Sequence, residues 1–139
     1  MRVTQLKIVL LLLSLTSCSS FDKETIIQNR EVYLEIFQIA ISKNLTYSDA
    51  NKSDVLSSFL RWNGIDRLEI KYQEIHEFMA IDSVVVYIKR SPNILTPEKR
   101  IIYDFAQIPR NIGDTSYVYA AYKRTQVDER WYFEAEGFD

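Results

Sequence analysis

The sequence predicts an α+β domain: two N-terminal helices packed on one face of a curved antiparallel sheet of four to five strands. Three observations carry this. Apolar residues recur at helical spacing between Asp22 and Trp62. From about Arg67 onward, β-branched and aromatic residues run in short stretches broken by Pro, Asn and Gly. Each element also has one apolar side that needs a partner, and helices followed by a run of strands satisfy that need as helices laid across one sheet.

The first helix spans Asp22 to Ile41. Ile26, Tyr33, Phe37 and Ala40 form its stripe, widened by Ile27, Leu34 and Ile41, and Asp22 can accept from the amides one turn in. The second runs from about Ser48 to Trp62 on an apolar face of Val55, Leu56, Phe59 and Leu60. Asn63-Gly64 supplies the left-handed residue that ends it.

Residues 65 to 80 fit two periods. Ile65, Leu68, Tyr72, Ile75 and Met79 are helically spaced, yet Leu68, Ile70 and Tyr72 alternate with Glu69 and Lys71. A strand from about Arg67 to Phe78 is preferred, because Ser83 to Arg90, rich in valine, follows directly and the two could pair. Pro92 to Pro97 makes a loop, and Lys99 to Gln107 alternates Ile101, Tyr103 and Phe105 with polar or smaller residues. Ser116 to Thr125 and Glu129 to Phe138 then form a hairpin around Gln126-Val127-Asp128. The order resembles the cystatin-like and NTF2-like cone folds, some of which hold a pocket between helix and sheet.

The amino terminus reads as an address. Met1 to Lys7 carries Arg2 and Lys7 and no acid, and Ile8 to Leu15 is apolar except for Ser14. As a helix that run would span about 12 Å, far short of the roughly 20 residues a bilayer core requires. A cationic start, a short apolar centre and small residues after it describe a secretory signal. Leu15-Thr16-Ser17-Cys18 resembles the lipobox of bacterial lipoproteins, over residues 1 to 18 only. The resemblance implies that Leu15, Thr16 and Ser17 are read by the signal peptidase, that Cys18 receives a diacylglycerol, and that cleavage falls just before it. The chain then divides into a signal peptide (1–17), an acylated cysteine with a short tether (18–22) and one domain (23–139).

Acylation also accounts for the single cysteine, which would otherwise be a free thiol in an oxidising compartment. By analogy with proteobacterial lipoproteins, Ser19 after the cysteine favours the outer membrane. In a one-membrane bacterium the anchor is the outer face of the plasma membrane. Four extended tether residues reach at most about 14 Å, so the domain should sit close to the lipid with its first helix facing it.

Seventeen Lys and Arg stand against nineteen Asp and Glu, and losing Arg2 and Lys7 makes the mature chain more acidic. That argues against a nucleic-acid partner, and no polybasic tract addresses anionic lipid. The isolated glycines Gly64, Gly113 and Gly137 build no phosphate loop, and no H-x-x-x-H or C-x-x-C spacing exists. His76, the one histidine, has Glu74, Glu77 and Asp82 near it, but a lone histidine binds metal weakly. The sequence therefore implies no catalytic group, metal or cofactor. Carboxylates drawn from distant strands, such as Asp104 and Glu134, are the remaining hydrolytic option. Tyr117, Tyr119, Tyr122 and Tyr132 with Arg124 make the candidate partner surface, since tyrosine and arginine dominate binding patches. The expected function is a membrane-anchored envelope lipoprotein acting as a non-catalytic module for an envelope protein. The alternatives are a small-ligand carrier with a pocket between helices and sheet, or a small enzyme. Replacing Cys18 with Ala is expected to release the protein from membranes or leave it unprocessed, read by fractionation and by the mass of the mature chain.

Overall fold

The computed structural model describes residues 21–72, 75–76, 79–80, 83–90, 96–109, 111, 113–117 and 121–136. The first helix, α1 (Lys23–Ser42), begins with Asp22 in extended backbone as its cap. Asp22 Oδ1 accepts from Thr25 N at 3.0 Å, and Thr25 Oγ1 accepts from Asp22 N at 3.2 Å. This reciprocal box satisfies two amides that the helix cannot. At Asn29 (φ −119°, ψ 20°) the helix kinks. The expected stripe of Ile26, Tyr33, Phe37 and Ala40 is buried and is joined by Ile36, while Ile27, expected to widen it, is 62% exposed.

The second predicted helix is a correction. Only Ser57–Trp62 is helical (α2, six residues), and Tyr47–Asp49 is a strand, β1. The cause is local chemistry. Asp54 Oδ1 accepts from Leu56 N at 2.8 Å and Ser57 N at 3.0 Å, and its carboxylate also takes the Ser48 hydroxyl at 2.9 Å. A side chain holding those amides offers the backbone an alternative to helix until α2 begins. Burial pushes the Asp54 carboxyl up, but these hydrogen bonds outweigh it and hold the group below the usual carboxylate range.

The remaining elements are β2 (Arg67–Lys71), β3 (Ile75–His76), β4 (Met79–Ala80), β5 (Val84–Lys89), β6 (Glu98–Asp104), β7 (Thr115–Tyr117), β8 (Tyr122–Gln126) and β9 (Trp131–Glu136). Six of them join β1 in one antiparallel sheet of seven strands, in the order β1-β2-β5-β6-β9-β8-β7, not the expected four or five strands. β1 adds one edge. The other gains a strand because the run expected from Ser116 to Thr125 folds back on itself, Thr115 pairing with Arg124 and Tyr117 with Tyr122. Ala121 carries the left-handed backbone there (φ 42°), with none of the glycine that normally signals such a turn. The strand preference for residues 67 to 78 holds at β2 and β3. β3 pairs with β4 in the register that β2 sets with β5, Lys71 facing Val84 and Ile75 facing Ala80.

One helix-bearing face of the sheet makes the main core. Tyr33 of α1 stacks on Tyr87 (ring centroids 4.8 Å), Phe37 on Phe105 (4.9 Å), and Tyr103 on Trp131 (4.7 Å). The buried Tyr87 hydroxyl donates to the Tyr33 carbonyl. Burial raises the phenol pKa of both tyrosines, so each stays a neutral donor. Arg30 Nη2, 2.8 Å from Asp128 Oδ2, ties α1 to the β8–β9 turn. Leu56 and Leu60, both fully buried, dock α2 onto this core. Leu56→Ala is expected to cost about 2–5 kcal/mol. Val55→Ala, at a side chain 49% exposed, should stay within about 0.5 kcal/mol. Urea unfolding of the two variants separates the observed α2 from a longer helix that would bury both.

Candidate functional site: a charged trough on the far sheet face

Strand residues alternate between faces, so the face away from α1 is fixed by register. Cross-strand partners run in a row from Arg67 to Ile88, Arg100, Glu134, Arg124 and Thr115. The neighbouring row is Glu69, Val86, Ile102, Tyr132 and Gln126. Together with Lys71 and Val84 these rows enclose a cavity of about 330 Å³. Its floor is aliphatic: Val84, Val86 and Ile88 are buried and packed with Ile102. Its walls are the long side chains of Arg67, Lys71, Arg100 and Arg124, with Glu69 and Glu134. Their methylene stems can shield the valines while the charged heads stay wet.

The charges are unevenly matched. Arg100 reaches Glu98 (2.8 Å), Glu136 (2.8 Å) and, more loosely, Glu134 (3.8 Å). Burial works to lower its pKa, but these carboxylates outweigh it, Glu98 first, and raise it. Arg67 Nε lies 2.9 Å from Glu69 Oε1, yet it has no hydrogen-bond partner because the carboxylate sits off the N–H direction. Arg124 spends its donors on Thr115 Oγ1 (2.7 Å) and the Gly113 carbonyl (3.3 Å). Among the described residues neither Arg124 nor Lys71 has a carboxylate within ion-pair distance. Glu134 is buried and accepts the Tyr122 hydroxyl at 2.6 Å. Burial first, and that hydrogen bond second, push the Tyr122 phenol up to about 12. The trough therefore offers fixed cations, one buried carboxylate and an apolar floor. It can hold an acidic group; it presents no activated nucleophile.

Of the expected partner surface, the structure gathers Tyr122, Arg124 and Tyr132 on this face. Arg124 and Tyr132 line the cavity, but Tyr132 is fully buried at its floor, not at an open rim. Tyr117 is placed by its backbone opposite Tyr122. The Tyr117 side chain and Tyr119 lie outside the described residues, as do Leu15, Thr16, Ser17 and Cys18, and Glu74, Glu77 and Asp82 around His76. Between α1 and the sheet, where the alternative carrier reading puts a pocket, Tyr33, Phe37, Tyr87 and Trp131 pack in the main core. Asp104 and Glu134 share the far face but not a site. Asp104 is four residues from Arg100, the partner of Glu134, so roughly 13 Å separates them along the strand. Paired hydrolytic carboxylates need about 5 to 9.5 Å. Among the described residues, no cluster of three His, Cys, Asp or Glu could hold a metal, and no helix is long and apolar enough to cross a membrane.

Sequence reasoning missed Arg67, Glu69, Lys71 and Arg100. Their signal was the charged half of the alternation in β2 and β6. Comparison with known proteins finds no matching family model, no matching curated protein and no matching solved structure. The trough is thus described by its chemistry alone. Glu134→Gln is expected to bring the Tyr122 titration down from about 12 toward the ordinary value near 10, read as phenolate absorbance with Tyr122→Phe as the blank. A phenol raised in the folded state contributes stability that is fully present below about pH 10 and is lost as pH rises through about 12. The alkaline limb of the unfolding curve should therefore shallow in the same variant.

Proposed function

We propose that this chain is a lipoprotein of the cell envelope, anchored through acylated Cys18 and favouring the outer membrane by the Ser19 that follows. It works there as a non-catalytic binding module, and its binding face is the far-face trough, which takes acidic side chains of an envelope partner protein. The observation that carries this is the row Arg67, Arg100 and Arg124 over buried aliphatics, with Arg124 and Lys71 lacking carboxylates of their own among the described residues. Arginine presents a planar fork of donors that a carboxylate can meet with both oxygens. Placed around an apolar floor, it has the composition of an interface hot spot.

A second reading is favoured by the cavity's size. At about 330 Å³ it falls at the lower end of the roughly 300–1,000 Å³ typical of small-molecule sites, which suits a small organic acid carried in the envelope. The two readings separate experimentally. Capture from native membranes with wild type and with the Lys71→Glu, Arg124→Glu pair should lose a partner on charge reversal. Native mass spectrometry of the purified protein should show the mass of the acylated polypeptide with no bound small molecule. A partner set unchanged by the reversal removes the trough as the protein-binding face, and a co-purifying organic anion favours the carrier.

A further inference from the structure

Phe21 is only 8% exposed and belongs to the main core. Cys18 precedes it by three residues, at most about 11 Å of extended chain. The surface around Phe21 is therefore what an acylated chain must set against the bilayer.

That surface is a cleft of about 510 Å³ whose lining includes Phe21, Asn63, Gly64, Lys89, Arg90 and Lys99. Lys89 and Lys99 are direct cross-strand partners on β5 and β6. Like charges directly opposite are destabilising, and only Lys89 has partial relief, from Asp66 Oδ2 at 3.6 Å. Lys99 makes no ion pair with any described residue, and Arg90 is held by Asp49. Trp62, which directly precedes the lining residue Asn63, ends α2 with 63% of its surface in water, and Val55 precedes the same helix half-exposed. Single exposed apolar residues are ordinary. A tryptophan one residue from a cleft lined by two opposed lysines, of which Lys99 has no described ion pair, at the end where a lipid tether must leave, is the composition of a membrane interface.

The geometry points to a membrane-docking surface at the Phe21 end of the domain, with Trp62 in the headgroup layer and Lys89 and Lys99 on the phosphates of anionic lipids. This rests on the anchoring of Cys18 proposed above. It also explains how a chain with no basic tract addresses anionic lipid: the two lysines are ten residues apart in sequence and meet through the β5–β6 pairing.

The processed chain Cys18–Asp139 contains every described residue, from Phe21 onward. Its single cysteine can be coupled to a maleimide lipid in vesicles whether or not the native host acylates it. With anionic vesicles, Trp62 fluorescence should shift to the blue, be quenched by brominated lipid and be shielded from aqueous iodide. Trp62→Phe identifies its signal against the core Trp131. Zwitterionic vesicles, or the Lys89→Glu, Lys99→Glu pair, should abolish these changes while coupling stays complete and circular dichroism is unchanged. An iodide-accessible Trp62 on coupled vesicles overturns the docking surface, and so does quenching indifferent to lipid charge and to lysine reversal. Host acylation is read separately, from the mass of the amino-terminal peptide, so failure of the anchor and failure of the docking are distinct results.

Discussion

The contact between Tyr33 on α1 and Tyr87 on β5 is the constraint on which the rest of the molecule depends. Both side chains are buried, their rings meet at 4.8 Å, and the Tyr87 hydroxyl donates to the Tyr33 carbonyl. A buried phenol without an acceptor would cost about 1–3 kcal/mol, so this bond fixes both where along the sheet the helix lies and how it is turned. Once Tyr33 is placed, Phe37 falls against Phe105 and Tyr103, and Trp131 closes the seam from β9. Two turns and more upstream, Asp22 caps the same helix and Phe21 enters the core. The seam thus decides where the chain emerges toward Cys18.

The sheet has two characters because β5, an interior strand, is apolar on both sides. In β5, Val85 and Tyr87 face the helix, whereas Val84, Val86 and Ile88 face away and form their own small cluster. A layer of aliphatic side chains with no helix over it among the described residues needs another cover. Here the cover comes from long charged residues of other strands, Arg67 and Lys71 of β2 on one side, Arg100 of β6 and Arg124 of β8 on the other. Covering by snorkelling leaves room between the heads, which a packed helix would not. The cavity is a consequence of that choice of cover.

The proposed docking end and the trough can coexist because they open on opposite faces of the sheet: Lys89 and Lys99 line the cleft, whereas their chain neighbours Ile88 and Arg100 line the trough. The cleft lies where β5 ends at Lys89 and Arg90, while the β3–β4 ladder continues the hairpin beyond Val84, at the opposite end of the strand. An anchor at the first end leaves the trough and the hairpin extension on surfaces that do not have to touch lipid. Tethering and binding are then independent tasks of one small domain.

Periodicity in the sequence by itself determined the α+β class, α1 with its Asp22 cap, and most of the strand positions, because these depend on neighbours within a turn or along a strand. Residues 48 to 56 misled it, because Asp54 competes for the amides a helix would use. The turn at Ala121 was invisible, since left-handed backbone was imposed on a residue that does not announce it. The site was legible only in fragments. Arg124, Tyr122 and Tyr132 were recognised as a group, but Arg67 and Arg100, far from them in sequence, join the same row through hydrogen-bond register across five strands. Tertiary structure alone decided that Tyr132 is floor and Arg124 is wall, and that Lys89 stands opposite Lys99. Pairing between distant strands is a property of the whole sheet, and no local pattern carries it.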